Sequence, residues 1–333
     1  MTTIKNTAFQ NEPSQNNALQ TSNNARAIII NVDDLGLSGA VNEAVLHLAE
    51  RGRIGASSYM VGGTISDDEI KTLAELKVDI GLHLDLTGIF PSALQGSLKS
   101  LIVASYLRRL DAGQVTDIIK QQLDGFEDRF ECAPVFIDGH QHIHQFPVIR
   151  QSLINELSAR YGKEDQVSIG ARITTPLVND IKSWIIYGLG GKAWRKLCED
   201  NLIATNNRFG GVYGFDASSR ELSALWENWL QKASRTAGLS PAFHTQSLAI
   251  EPLGTYAQYN ATTPAIHSVP LSLPTDLSTT LVMCHPAVPD SSWQDDIKQA
   301  REHEYEWLMS HQFEKLLQKH DVRLVRWSDV ATS

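Results

Sequence analysis

The chain has 333 residues, with 29 Lys or Arg against 38 Asp or Glu, which gives a formal charge of −9 with neutral histidines. This acidic balance argues against nucleic acid or an anionic membrane as the main partner, because both bind positively charged surfaces. Hydrophobic residues at 42% and charged residues at 20% exclude collagen, a wholly disordered chain and a bundle of membrane helices, and leave one large α/β domain or two smaller ones.

The N-terminal residues 1–24 are rich in Asn, Gln, Thr and Ser and contain few large apolar side chains. Such a segment cannot offset its own ordering entropy, so we predict a disordered tail. The sequence shows neither a secretory signal nor an apolar stretch of the roughly 20 residues that a membrane helix needs. Three scattered cysteines, Cys132, Cys198 and Cys284, fit a reducing compartment. We therefore expect a cytoplasmic protein without a membrane span.

From residue 25 onwards, short apolar runs alternate with amphipathic helical patterns, which is typical of βαβ units around a parallel sheet. The first run, residues 27–32, is apolar on both faces, as a buried parallel strand should be, and it stops at Asp33 and Asp34. Ser38 can then cap a helix that ends near Gly52. Further strands are predicted at 55–61, 79–84, 135–138, 167–171, 280–284 and 322–325, and further helices at 67–76, 98–130, 146–161, 180–200, 220–237 and 295–319.

Two stretches interrupt this alternation. Residues 208–215 look like a Gly-rich connection, and residues 238–279 are rich in Pro, Ser and Thr without clear periodicity, which predicts a long surface insertion. The candidate site residues run from Asp33 to His285, so no cut between them leaves the site intact. We therefore predict a single α/β domain over residues 25–333.

Metal-binding or acid-base side chains follow four of the predicted strands, at the point where each strand ends. In parallel α/β folds, and above all in α/β barrels, the loops at these carboxyl ends converge on the active site. Each motif alone has a simpler interpretation, such as a turn with a helix cap or a hydrogen-bonded core histidine. Together they indicate a hydrolytic metal site. The residues are Asp33 and Asp34, His83, Asp138 with His140, and His285.

Three histidines, His140, His142 and His144, fall within five residues. If this segment is extended, all three rings lie on one side of the backbone, and burying them unpaired would be unfavourable. A metal ion is a natural way to accommodate them. Two imidazoles and one carboxylate with an open position form the ligand set of catalytic metal centres.

Four ordered motifs resemble those of the YdjC-like carbohydrate deacetylases. Residues 31–38, NVDDLGLS, are similar to the family's N-A-D-D-F-G-L-S signature, although Val32 and Leu35 replace Ala and Phe. The other three motifs are GLHLDLT at 81–87, DGHQHIHQFP at 138–147 and MCHPA at 283–287. The resemblance covers residues 27 to about 290, and the stretch at 238–279 is longer than the family's pattern leads us to expect.

The resemblance implies a fold, an activity and a set of roles. The fold is a (β/α) TIM-barrel-like deacetylase barrel, often found as a homodimer. The activity is removal of N-acetyl groups from amino sugars in oligosaccharides or glycolipids. Asp34, His83 and His140 would bind a divalent metal ion, Mg²⁺ or Zn²⁺, with Asp33 as catalytic base and His285 as catalytic acid.

The remaining polar residues near the strand ends are assigned supporting roles. Arg172 could pair with a carboxylate such as Asp33 and keep it ionised, although a purely structural salt bridge fits as well. Asp138 is better placed to orient an imidazole than to bind metal. His142 and His144 would support the site or contact substrate, because three histidines from one strand rarely reach a single ion.

Two other functions remain open at this point. One is a metal-dependent phosphoesterase, which would need more basic side chains or a Gly-rich cradle than these strand ends offer. The other is a barrel that binds carbohydrate without turning it over. Five aromatic residues could form a sugar-stacking face, although core packing is the favoured interpretation of each. They are Trp184, Trp194, Tyr213, Trp226 and Trp293.

Overall fold

We describe the protein from a computed structural model that defines four stretches of the chain. The described residues are 25–94, 96–162, 169–233 and 279–331. The predicted tail, residues 1–24, and the predicted insertion at 238–279, apart from Thr279, lie outside them. Ala233 and Thr279 are the residues that flank the larger gap.

Within the described residues, nine parallel strands form one sheet, in the order β6-β5-β4-β3-β2-β1-β8-β7, and β9 pairs with the start of β1. The central strand β1 is buried along almost its whole length, as its run of β-branched residues predicts. The strands are β1 (Arg26–Leu35), β2 (Ala56–Tyr59), β3 (Asp79–Leu84), β4 (Phe136–Gly139), β5 (Gly170–Ala171), β6 (Ala204–Thr205), β7 (Arg208–Gly210), β8 (Thr280–Cys284) and β9 (Val322–Leu324).

The sheet curls until the chain beyond β5 reaches β7. Phe209 of β7 donates its N–H to the Thr175 carbonyl at 2.8 Å and accepts from the Leu177 N–H at 2.9 Å, around a parallel bridge to Pro176. These contacts connect the chain beyond β5 to β7 across the open side of the curled sheet. The predicted barrel-like α/β fold in a single domain is confirmed.

Eleven helices in the described residues accompany the sheet. Within these stretches, none has the length and apolar character to cross a membrane. The helices are α1 (Gly39–Glu50), α2 (Asp67–Glu75), α3 (Leu98–Tyr106), α4 (Ala112–Phe130), α5 (Ile149–Tyr161), α6 (Ile181–Ile186), α7 (Lys192–Asp200), α8 (Ser219–Lys232), α9 (Lys298–Met309), α10 (His311–Lys319) and α11 (Trp327–Ala331).

Alternate residues of β1 face two different surroundings. Ile28, Ile30 and Val32 pack in the large cluster between the sheet and the helices. Ala27 and Ile29 pack in a smaller cluster inside the barrel. This is the alternation of a strand whose two faces are both buried.

Several predicted elements differ from the structure. The predicted connection at 208–215 begins with β7, which is too short to show a periodic pattern. The predicted helix at 295–319 divides at Ser310, whose Oγ accepts from the Phe313 N–H and caps a new helix. The helix α11 was not predicted, and its first residue, Trp327, fills the amino end of the barrel.

Candidate active site

Asp33 and Asp34 both face the interior because β1 is irregular at its end. The pairing of β1 with β2 shifts between Val32 and Leu35, and Asp34 has a φ of 69°. A bulge of this kind overrides the alternation of a strand, so neighbouring carboxylates can lie on the same side. Both side chains are buried, at 2% and 1% exposure.

Asp34 lies against two imidazoles that come from other strand ends. Its Oδ1 is 3.3 Å from His83 Nε2 at the end of β3 and 3.2 Å from His140 Nδ1 just after β4. One potential ligand atom of each residue lies within 4.8 Å of the others. Two imidazole nitrogens and a carboxylate oxygen at this spacing fit a divalent metal ion.

A second group, Asp33, His83 and Asp138, meets the same distance criterion. Here, however, the guanidinium of Arg172 lies against both carboxylates. A cation already occupies the space between these ligands, so the group around Asp34 is the better candidate metal centre.

His83 is oriented by its neighbour on the next strand. The β3–β4 register places Asp138 beside His83, and Asp138 Oδ1 lies 2.6 Å from His83 Nδ1. A hydrogen bond at Nδ1 leaves Nε2 directed at Asp34. Burial would lower the pKa of His83, but the neighbouring carboxylates of Asp138, Asp34 and Asp33 together outweigh it and raise that pKa to about 10.

Arg172 lies just beyond β5 and is completely buried. Its Nη1 donates to Asp33 Oδ2 at 2.7 Å and its Nη2 to Asp33 Oδ1 at 2.5 Å, while Nη2 is also 2.5 Å from Asp138 Oδ2. Burial opposes ionisation of Asp33, but the guanidinium of Arg172 together with His83 and His285 outweighs it and lowers the pKa of Asp33 below its ordinary value. The pairing with Asp33 expected from the sequence is present in the structure.

His285 follows β8, which pairs with β1 so that Cys284 lies beside Val32. Its Nε2 is 3.8 Å from Asp33 Oδ2, and the side chain is 12% exposed. The ring of Phe215 meets the imidazole edge-on at 5.2 Å between centroids. The imidazole and Asp33 both line the cleft, and His285 approaches the same carboxylate oxygen to which Arg172 Nη1 donates.

The segment that carries three histidines is a tight turn and not an extended strand. Gln141 and His142 both have left-handed backbone conformations, with φ of 54° and 59°. The extended segment, on which the argument for three rings on one side depended, is therefore not what the structure shows. His140 approaches Asp34, His142 lines the cleft, and His144 is buried with Nε2 3.1 Å from the Arg172 carbonyl.

His142 and His144 both have lowered pKa values. Burial lowers the pKa of His142 well below its ordinary value, and it lowers that of His144 to about 4. The ring of His142 packs edge-on against Phe209, and that of His144 against Trp194. Burial therefore favours the neutral form of both imidazoles.

Sequence reasoning missed two charged residues of α9 that contact the site. Arg301 Nη2 donates to Asp34 Oδ2 at 2.7 Å. Glu304 Oε2 accepts from the His285 N–H at 2.5 Å, and its Oε1 accepts from the Tyr213 hydroxyl at 2.6 Å. The available signal was two charges at i and i+3 on a helix face that otherwise carries Ala300, Trp307 and Leu308.

A cleft of about 480 Å³ opens onto Asp33, Asp34, His83, His140 and His285. Its outer wall includes one basic and two hydrophobic residues of α6 and an acidic segment just before α9. These wall residues are Lys182, Ile185, Ile186, Asp295 and Asp296.

The five aromatic candidates divide by burial. Trp194 and Trp226 lie in the core, as the favoured interpretation expected. Tyr213 lines the cleft. Trp184 is half exposed on α6, and Trp293 packs on the guanidinium of Arg301.

Two solved structures and one family profile are similar to this chain. A solved structure of a proposed cellobiose-phosphate cleavage protein from Enterococcus faecalis V583 superposes with a TM-score of 0.60 at 14% identity, covering 92% of this chain and 98% of that one. A family 4 acetyl xylan esterase from Clostridium thermocellum, solved with cobalt, gives a TM-score of 0.40 at 10% identity, covering 92% and 91%. The profile of the family described as YdjC-like protein matches residues 27–319, and the chain belongs to this family.

Proposed function

We propose that the protein is a metal-dependent hydrolase that removes an N-acetyl group from an amino sugar in an oligosaccharide or glycolipid. Membership of the YdjC-like family supports this proposal. The observation that carries it is that two adjacent carboxylates have different partners. Asp34 lies with two imidazoles, whereas Asp33 lies with Arg172 and His285.

Asp34, His83 and His140 would hold the divalent ion, with Asp138 keeping His83 in the orientation that directs Nε2 inward. A bound divalent ion supplies Lewis acidity, which polarises the acetyl carbonyl and lowers the pKa of water. The nature of the ligands does not distinguish Mg²⁺ from Zn²⁺. Elemental analysis of the purified protein identifies the ion.

Asp33 would act as the general base. Arg172 keeps its carboxylate ionised and fixes its position, so Asp33 is ready to accept a proton from the attacking water. Oxygen from that water forms a bond to the acetyl carbon as the proton moves to Asp33. Asn31 Nδ2 also donates to Asp33 Oδ1 at 2.8 Å, which restricts the carboxylate further.

His285 would act as the general acid. An amine leaves readily only after protonation, so the C–N bond breaks as His285 gives its proton to the sugar nitrogen, and acetate is the second product. The imidazole lies at the edge of the cleft, where a bound sugar can approach it. His142 lines the same cleft and is proposed to contact the substrate, while His144 supports the turn from behind.

The test is acetate release from N-acetylglucosamine oligomers and glycolipids. We expect release with added metal, loss of release after chelation, and a rate about 10²–10⁴-fold lower for Asp33→Asn. Asp79→Asn is the matched control, because Asp79 is also buried but binds Ser328 at the opposite end of β3. Release that survives both chelation and Asp33→Asn would contradict the proposal.

The same assay, extended to sugar phosphates, distinguishes the two alternative functions. Release of inorganic phosphate without acetate would indicate a phosphoesterase. Saturable sugar binding without either product, in metal-loaded protein, would indicate a carbohydrate-binding barrel. The cytoplasmic location and the homodimer stay predictions, which fractionation and light scattering test.

A further inference from the structure

Arg301 is a buried cation in the wall of the cleft, at 2% exposure. Its guanidinium donates in two directions, with Nη2 2.7 Å from Asp34 Oδ2 and Nε 2.5 Å from Asp295 Oδ2. The face of the guanidinium lies over the ring of Trp293, at 5.8 Å from its centroid. These contacts hold the planar guanidinium in place.

These contacts make the two oxygens of Asp34 unequal. Oδ2 is bound by Arg301, whereas Oδ1 lies 3.3 Å from His83 Nε2 and 3.2 Å from His140 Nδ1. A carboxylate without such an anchor can turn about its terminal torsion, which is broad and roughly two-fold. Arg301 thus restricts Asp34 to an orientation in which one oxygen faces both imidazoles.

The anchor belongs to α9 and not to the strand that carries Asp34. The same helix reaches the backbone of His285, since Glu304 accepts from its N–H and Arg301 Nη1 lies 3.4 Å from its carbonyl. One helix therefore contacts both the candidate metal ligand and the candidate acid. Arg301 itself has its donors directed at protein groups, which leaves it poorly placed to bind substrate.

We propose that Arg301 is a positioning residue for Asp34, which commits Oδ1 to the metal ion by holding Oδ2. The inference rests on the proposed function, because it takes Asp34 as a metal ligand. Two effects oppose each other. The guanidinium repels a divalent cation, but it also removes the rotational freedom that Asp34 would otherwise lose on binding.

Arg301→Lys separates these two effects. Lysine retains the positive charge, so electrostatic repulsion stays, but an ammonium on a flexible stem cannot reproduce the planar two-way contact with Asp34 and Asp295. We expect Arg301→Lys to bind Co²⁺ about 10–100-fold more weakly than the wild type, in titrations of metal-free protein. The visible absorption spectrum of the Co²⁺ form should also change, since it reports the ligand arrangement.

The matched control is Arg53→Lys. Arg53 is likewise buried, pairs with Glu314 at 3.0 Å and lies over the ring of Phe313 at 5.9 Å, but it does not line the cleft. We expect its Co²⁺ affinity and spectrum to equal those of the wild type. If Arg301→Lys does not fold, Asp295→Asn keeps the arginine and removes its second anchor, with an expected loss of affinity below about 10-fold.

Activity gives a second readout. Raising the metal concentration should restore the kcat of Arg301→Lys, because the variant is impaired in holding metal. Wild-type Co²⁺ affinity in Arg301→Lys, or a kcat that excess metal does not restore, would overturn the inference. Unchanged affinity in Asp34→Asn would instead overturn the proposed ligand set, so the two failures are distinguishable.

Discussion

The two halves of the barrel interior use the same strand in opposite ways. Toward the amino end of β1, Ala27 and Ile29 face inward and pack in an apolar cluster. Toward the carboxyl end of that strand, Asn31 and Asp33 face inward and join a polar network. The inward-facing residues of one strand therefore divide the interior into an apolar half, at the amino end of β1, and a polar half, at its carboxyl end.

The halves also differ in how they are stabilised. In the apolar half, the rings of Phe136 and Trp327 stack at 5.0 Å, and close packing is the main stabilising contact. In the polar half, each buried carboxylate needs a cation or a hydrogen-bond donor, as Asp33 and Asp34 have in Arg172 and Arg301. Loss of one partner should therefore spread through the polar half and stay local in the apolar half.

The sharpest test of this contrast is Arg172→Met. It leaves Asp33 and Asp138 without their shared cation, so we expect the free energy of unfolding to fall by about 5 kcal/mol and acetate release to be lost. Urea unfolding measures the first effect. Arg53→Met is the control, because Glu314 is partly exposed and can be solvated. A loss below about 1 kcal/mol for Arg172→Met would mean that the polar half tolerates unpaired carboxylates.

In the apolar half, we expect Trp327→Ala to lower the free energy of unfolding by about 4 kcal/mol, because it removes a fully buried ring. The Co²⁺ affinity of the folded protein should not change, since the ring lies at the far end from Asp34. Denaturant titration and metal titration of the same sample measure both quantities. A variant with weakened metal binding would show that the two halves are coupled.

The polar half is supported from outside by His144, and pH tests that support. Its pKa is about 4 in the folded protein against an ordinary 6.5, so the unfolded state binds its proton first. Stability should therefore be lost as pH falls from about 6.5 to 4, by on the order of 3 kcal/mol from this residue. Between pH 6.5 and pH 4, the free energy of unfolding of His144→Gln should therefore fall less than that of the wild type, by the contribution of His144. Parallel curves for the two proteins would contradict the assignment.

Gly81 offers the smallest expected effect. A Cβ at this position would lie 2.5 Å from the ring of Phe136. Gly81→Ala should therefore overpack the apolar half and lower the free energy of unfolding by about 2 kcal/mol. Phe136→Leu should recover part of the loss in the double variant, which unfolding measurements of the full cycle can show. An additive double variant would argue that the ring is not the obstacle.

The sequence was sufficient to predict the residues at the strand ends because their positions follow from short, local patterns. An apolar run defines each strand, and a parallel sheet brings the ends together. Asp34, His83 and His140 converge for this reason although 106 positions separate the first and last. Four contiguous motifs also carry the resemblance to the YdjC-like family.

Other features depend on contacts that no local pattern reveals. Arg301 and Glu304 lie in the middle of an ordinary amphipathic helix, and their site contacts arise only from how α9 packs. In the turn at His140–Gln145, Gln141 and His142 adopt left-handed backbone conformations, which are uncommon for residues other than glycine and which no local pattern predicts. The strands β6 and β7 have only two and three residues, which is too short to show a periodic pattern of apolar residues.

The barrel also has a defined front and back. Arg26, at the start of β1, donates from Nε to the Ala233 carbonyl at 3.2 Å, and Thr279 leads directly into β8 beside it. These positions lie at the amino edge, opposite the cleft. A linker or label attached at these positions would therefore be separated from the described cleft residues by the length of the barrel, which leaves the metal-binding measurements on an immobilised protein undisturbed by the attachment.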